Sequence, residues 1–285
     1  MQKPVVIAAF YHFASLPDYE AMRQPLLRFC NRHKLKGTIL LAAEGVNSTI
    51  SGSREAIDAL LAHLRSDPRL AGLEHKESFH DNQPFMRMKV RLKKEIVRLG
   101  MDELDIDNRG IYVDPKEWDA LISDPEVVLV DTRNDYEVHV GTFEGAVDPQ
   151  TKNFRDLPEW VAKNLNPDKH KKVAMFCTGG IRCEKSTALM KHMGFDEVYH
   201  LKGGILQYFE DTKNANGKWK GDCFVFDDRV AVNDKLEASG AVICPSCNVP
   251  VTTDELKLGQ CDYGIKCAAC CEKEKTASDN SVVAD

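Results

Sequence analysis

The stretch Val173-Ala-Met-Phe-Cys177-Thr-Gly-Gly-Ile-Arg182-Cys183-Glu-Lys-Ser186 decides how the rest of this chain is read. Val173 to Phe176 is a short apolar run of the kind that forms a buried strand. From about Cys183 to Met193 the spacing turns helical, and Gly194 ends it. The loop between them starts with a cysteine and ends with an arginine. A cysteine so placed meets two conditions for a low pKa. Arg182 brings a positive charge, and the helix N-terminus offers free N–H groups and the favourable end of its dipole. Gly179 and Gly180 permit backbone conformations that turn several N–H groups toward the sulfur. The loop is a cradle for a thiolate or a persulfide. The plain alternative is a structural cysteine on an ordinary strand–loop–helix turn. The combination of cysteine, glycine pair, arginine and helix start favours a reactive site.

Outward from the loop, strands alternate with helices. Glu126 to Val130 reads as a parallel-type strand ending at Asp131-Thr-Arg133-Asn-Asp-Tyr-Glu137. Asn153 to Leu165 is helical. Val198 to Leu201 is a strand, followed by Lys202-Gly203-Gly204-Ile205 and a short helix. This order predicts an open, mostly parallel α/β sheet with the reactive loop at a strand's carboxyl end. The first hundred residues follow β-α-β-β-α-β-β, with Ser53 as N-cap of the second helix, which predicts an α+β, ferredoxin-like sandwich. The expected organisation is a basic ferredoxin-like domain at 1–95, a polar linker at 96–114 and the α/β domain at 115–218. A Cys-rich segment at 219–272 and a disordered polar tail at 273–285 complete it.

Charge is unevenly spread. Residues 1–100 carry 16 Lys and Arg against 10 Asp and Glu, while the remainder carries 22 against 34. A basic third on an acidic protein suggests local contact with a polyanion. The strand read at Phe85 to Leu92 sharpens this. Arg87, Lys89, Arg91 and Lys93 alternate with Met86, Met88, Val90 and Leu92, so period two sets four cations on one face. Such a stripe can track a nucleic-acid backbone. The alternative is a solvated outer face, but four like charges without interleaved acids repel one another. His75-x-Glu77 is a weak match to the start of an iron-binding facial triad.

Ten cysteines occur in 285 residues, six of them between 244 and 271. Cys244-Pro-Ser-Cys247 and Cys267-Ala-Ala-Cys270 form two C-x2-C pairs separated by nineteen residues. That pattern matches a tetrahedral structural zinc site, with a reduced thiol cluster as the alternative; Cys261 and Cys271 are extra. Paired clustering fits a reducing compartment better than a secreted disulfide framework. No apolar run approaches the roughly 18 residues of a membrane span. Met1-Gln-Lys-Pro leads into a strand without a signal-peptide pattern, so a cytoplasmic location is expected.

The motif Asp131-x-Arg133-x3-Glu137-x3-Gly141-x3-Gly145-Ala146 resembles a rhodanese signature, as do the Cys177 loop and the Gly203-Gly204 turn. The loop is Cys-x4-Arg, shorter than the Cys-x5-Arg of related phosphatases and sized for one sulfur atom. The full strings, with Lys94-Glu-Ile-Val97 and Cys223-Phe-Val-Phe-Asp-Asp-Arg-Val230, are similar over nearly the whole chain to the rhodanese-like TrhO family of bacterial oxygen-dependent tRNA uridine hydroxylases. The resemblance implies an acylphosphatase-like N-terminal domain and C5 hydroxylation of a wobble uridine, with O2 as cosubstrate. It implies the anticodon arm of tRNA as partner and Cys177 as the active-site cysteine, with Arg182 as its charge partner. Cys183 is either a resolving or second catalytic thiol or a small buried residue. Asp131 and Arg133 are expected to brace the loop. Lys185 and Ser186 either donate to a bound base or phosphate or, as the plainer and favoured expectation, lie at the surface. No flavin fingerprint or haem motif is present. Two other readings stay open: a sulfurtransferase carrying a Cys177 persulfide, and an RNA-binding protein with a vestigial thiol loop.

Overall fold

The computed structural model describes residues 4–101, 104–215, 217–257 and 266–273. The N-terminal part consists of β1 (Val5–Phe13), α1 (Tyr19–Arg32), β2 (Lys36–Ala42), β3 (Gly45–Gly52), α2 (Arg54–Arg65), β4 (Glu74–His80) and β5 (Met88–Leu92). The sheet order is β4-β1-β3-β2-β5. Neighbours are antiparallel except β5, which runs parallel to β2. Alternate residues of β1 split the faces. Val6, Ala8 and Phe10 join a core with Ile57, Leu60, Leu61 and Leu64, the helically spaced apolar stripe of α2. Ser53 caps that helix by accepting from Ala56 N at 3.2 Å. The opposite face, with Ile7, Ala9 and Tyr11, lines a cavity.

One strand is shorter than its sequence pattern. β5 begins at Met88, and Met86 is 89 % exposed. Of the four apolar residues of that pattern only Met88 and Val90 pack into the core, while Leu92 is exposed. The strand is an edge, and Arg23 of α1 donates to the Val90 carbonyl at 3.1 Å.

The central part contains β6 (Ile111–Val113), α3 (Pro115–Leu121), β7 (Val127–Asp131), α4 (Asp135–Val140), β8 (Gly141–Phe143), α5 (Leu157–Asn164), β9 (Lys172–Phe176), α6 (Ile181–His192), β10 (Glu197–Leu201) and α7 (Gly204–Thr212). The parallel sheet has the order β6-β10-β9-β7. β9 is interior. Val173 and Met175 pack into one apolar cluster and Ala174 and Phe176 into another, which is why the run is continuously hydrophobic. Its carboxyl end carries Cys177.

The stretch expected as a linker, 96–114, is structured where described. Ile96 and Leu99 are buried, and β6 joins the parallel sheet beside β10. Polarity misleads here because the stretch contributes isolated apolar anchors rather than a periodic face.

Downstream, β11 (Trp219–Gly221) pairs with β8, β12 (Cys223–Phe224) with β13 (Ala231–Val232), and β14 (Val242–Ile243) with β15 (Pro250–Val251), followed by α8 (Thr253–Lys257). Most of the tail expected at 273–285, and Cys261, lie outside the described residues. Among the described residues, no helix is long and apolar enough to cross a membrane.

Candidate active site

Cys177 lies at the base of a cavity of about 1770 Å³ walled by the open sheet face of the N-terminal part and by the loop itself. The sulfur is nearly enclosed, with 1 % of the residue exposed. Gly180 N donates to Sγ at 3.1 Å. Burial by itself would push the Cys177 thiol up. The Cys183 thiol, the Arg182 charge and the N–H groups of Cys183 and Arg182 outweigh it and bring the value down to about 6. Cys183 moves the opposite way, held up by burial and by its bond to Cys177. The two thiols thus move in opposite directions, Cys177 toward the anion and Cys183 toward the neutral form, and both cysteines are free.

The backbone of the loop allows little else. Gly180 has φ of +99°, and a Cβ there would stand 2.9 Å from the Tyr11 hydroxyl. Gly204, at φ +69°, faces the Cys177 carbonyl so closely that a Cβ would sit 2.5 Å from it. Ile205 N and Leu206 N donate to the carbonyls of Cys177 and Thr178 at 3.0 and 3.1 Å, so the Gly203-Gly204 turn clamps the loop. Gly179 has open space where a side chain would be, and its carbonyl accepts from Lys76 Nζ at 3.4 Å.

Arg182 reaches Glu137 by two contacts, 2.8 and 2.9 Å, and both side chains are buried. Asp131 and Arg133 form a second pair with neither exposed. Arg133 also donates to the carbonyls of Glu137 and Gly141 at 3.2 and 2.6 Å. Its guanidinium stacks over Trp219 at 5.2 Å. The pair ties the end of β7 to α4 and β8.

Lys185 and Ser186 are not at the surface. Lys185 is 3 % exposed and bridges Glu44 and Glu95 at 2.8 and 2.6 Å; Ser186 is buried. Glu184, also buried, accepts from Tyr11 and Tyr112 at 2.8 Å each and pairs with Arg109 at 3.1 Å. The first turns of α6 are polar because the N-terminal part packs onto them and supplies partners.

Lys76 and Tyr11 are site residues that sequence reading missed. Both line the cavity and feel the charge of Cys177. Burial pulls the Lys76 pKa down and pushes that of Tyr11 up. Strand alternation groups Lys76 with Glu74 and Ser78, but nothing local indicates which face meets the loop. His75 and Glu77 bond to each other at 3.0 Å and to Arg65 and Arg54, so no facial triad forms around them among the described residues.

The cationic stripe lies beside the cavity. Register sets Lys89 next to Thr38 and Arg91 next to Leu40, and both of those neighbours line the cavity, as does Lys93. Arg87 precedes the strand and is exposed. None of the four cations has an ion-pair partner among the described residues.

Cys244, Cys247, Cys267 and Cys270 converge. Their four Sγ atoms lie within 4.8 Å of one another, and Cys247 and Cys267 are 3.5 Å apart. Zinc–sulfur bonds of about 2.3 Å in a tetrahedron require sulfurs roughly 3.8 Å apart, so the cluster fits such an ion. Cys271 is disulfide-bonded and stands outside this set.

Residues 5–96 match the UPF0176 acylphosphatase-like domain and residues 114–211 the rhodanese-like domain. A protein of Teredinibacter turnerae named tRNA uridine(34) hydroxylase is 55 % identical over 270 residues, covering 94 % of this chain and 84 % of that one. Among solved structures, a rhodanese-like domain from Anabaena is 20 % identical, covering 39 % of this chain and 78 % of that one at a TM-score of 0.33. A Rhodopseudomonas palustris protein described as a possible tyrosine phosphatase is 24 % identical, covering 39 % and 86 % at a TM-score of 0.32. Fold and loop together define a rhodanese-like protein with an acylphosphatase-like domain in front. The chain belongs to the tRNA uridine(34) hydroxylase family.

The thiolate carries a test of its own. Iodoacetamide alkylation of Cys177 is expected to follow a midpoint near pH 6, slow below it and fast above, because only the anion reacts. Cys183→Ala, which removes a donor, moves the midpoint up, and Cys183→Ser does not. A wild-type midpoint at the ordinary thiol value, read by peptide mass spectrometry across a pH series, would refute the assignment.

Proposed function

We propose that this chain hydroxylates uridine 34 of tRNA at C5, using molecular oxygen, in the cytoplasm, with Cys177 as the reactive centre. The observation that carries this reading is the cavity. A rhodanese passing a single sulfur atom needs little space, whereas about 1770 Å³ exceeds an ordinary small-molecule pocket and accommodates several nucleotides. Its sheet wall ends in the Lys89, Arg91 and Lys93 edge, which supplies phosphate contacts for the anticodon arm, with Arg87 beside it. A wobble base lies in a single-stranded loop and enters without a duplex being opened. Cys177 acts either by adding to C6, which raises electron density at C5, or by carrying the oxidised sulfur. One atom of O2 enters C5 and the other leaves as water, with two electrons and two protons from an external thiol-type reductant. Arg182 and the loop N–H groups hold the anion, Cys183 donates to it, and Asp131 and Arg133 brace the loop with Gly179 and Gly180.

The test is nucleoside mass spectrometry of tRNA from cells with the gene, without it, and with Cys177→Ala. Loss of 5-hydroxyuridine derivatives in both altered strains is the expected result. Unchanged 5-hydroxyuridine with a fall in thiolated nucleosides would transfer the protein to the sulfurtransferase reading.

Cys244, Cys247, Cys267 and Cys270 hold zinc in this reading, as a structural ion that ties two segments of the chain. Purified protein is expected to contain one zinc per chain by elemental analysis. The double substitution Cys244→Ser, Cys267→Ser loses it and makes the C-terminal segment protease-sensitive. Zinc-free wild-type protein with the segment intact would remove the metal from this account.

A further inference from the structure

Arg182 and Phe226 separate the main cavity from a second hollow of about 310 Å³. Arg98, Arg182 and Phe226 line both, so the two spaces adjoin. The hollow is completed by Asn134, Asn153, Phe154 and Arg155. These side chains come from the stretch before β6, the N-cap of α4, the segment before α5, the first turn of α6 and the hairpin between β12 and β13. Arg98 is exposed and has no ion-pair partner among the described residues. Arg155 has only Asp156, at 3.8 Å.

Phe226 is 55 % exposed, although its neighbours Phe224 and Val225 are buried. One of its contacts is the Arg182 guanidinium at 5.8 Å, and another is the edge of Phe224. The hairpin that presents it is held firmly. Val225 N donates to Val230 O at 2.9 Å, and Asp227 pairs with Arg229, both buried. Arg229 also donates to Ser78 Oγ of β4 at 2.9 Å. A solvent-facing aromatic on a held hairpin, between the Cys177 cavity and a hollow with Arg98 unpaired among the described residues and Arg155 only loosely paired, has the chemistry of a base-stacking platform. The hollow has the size of one nucleotide rather than of a strand, and its two asparagines offer amide donors and acceptors to a base edge.

We propose that this hollow binds a second nucleotide of the RNA strand, a neighbour of the reacting uridine, with its base against Phe226 and its phosphate between Arg98 and Arg155. The inference rests on RNA entering the Cys177 cavity and extends that reading to a subsite for the flanking residue. The substrate strand is thereby bent around the Phe226–Arg182 pair, one base on each side.

The test uses the full chain and a synthetic anticodon stem-loop, with affinity read by fluorescence anisotropy and 5-hydroxyuridine by mass spectrometry. Phe226→Ala is expected to weaken binding about 5- to 150-fold, the range of a lost base–aromatic stack, and Phe226→Trp to restore it. Arg98→Gln is expected to lower the slope of log affinity against log salt by about 0.7, the value for one single-strand phosphate. An abasic residue beside the uridine should abolish the difference between wild type and Phe226→Ala. If an abasic residue at the uridine itself abolishes it instead, or if Phe226→Ala binds normally, the subsite is refuted. An unshifted alkylation midpoint of Cys177 in each variant shows that the loop is intact. Wild-type protein that binds with this pattern but forms no 5-hydroxyuridine would refute the hydroxylase reading and leave the subsite standing.

Discussion

Serine at position 177 is expected to abolish 5-hydroxyuridine formation, with a loss on the order of 10³-fold or more, while the fold survives. The exchange keeps the shape of the loop, and the Gly180 N–H still finds an acceptor. What disappears is the anion. Burial, the Cys183 donor, Arg182 and the loop N–H groups together set the Cys177 thiol at about 6, and no comparable environment ionises an alkyl hydroxyl near neutral pH. Purified Cys177→Ser protein should melt within a few degrees of wild type and leave tRNA unmodified. Full activity would exclude both sulfur addition to the ring and sulfur oxidation, and with them the role given to the loop.

Asp131→Ala is expected to produce the largest loss of stability. Arg133 would stay buried beneath Trp219 and Phe176 with its counter-charge gone, because neither partner of the pair is exposed. Breaking one side of such a pair costs about 3–5 kcal/mol. In a chain of this size that corresponds to a melting temperature lowered by roughly 6–20 °C in calorimetry. Asp131→Asn, which keeps acceptor capacity on one oxygen, should lose less. A fall of under about 1 kcal/mol would mean that the pair is not the brace its geometry suggests. The Cys177 loop should suffer along with stability, since Thr132, next in sequence, bonds the Phe176 carbonyl at 2.9 Å and lies 3.8 Å from Cys183 Sγ.

Some features of the site were readable because they are local. The Cys177 cradle depends on residues within one loop, and its glycines, arginine and helix start are consecutive. The four cations near β5 follow from strand period two, and the metal-type cysteines from two short repeats. The same reasoning failed at Lys185 and Ser186. Charged residues at the start of a helix ordinarily face water, and here they are buried under another part of the chain. It also overextended the apolar face of β5, because a pattern gives orientation but not how far the covering helix reaches.

The sequence by itself determined the two sheet types, the order of their elements, the cysteine loop at a strand's carboxyl end and the family resemblance. These rest on periodicity, turn chemistry and contiguous motifs, which act over a few residues. Only the tertiary structure decided what surrounds the sulfur. Lys185 meets Glu95 across 90 positions, Tyr11 meets Glu184 across 173, and Lys76 reaches the Gly179 carbonyl from β4. Arg182 and Phe226 come together from separate elements in the same way. Burial and charge depend on what packs over a group, and no local pattern records which distant face will do so.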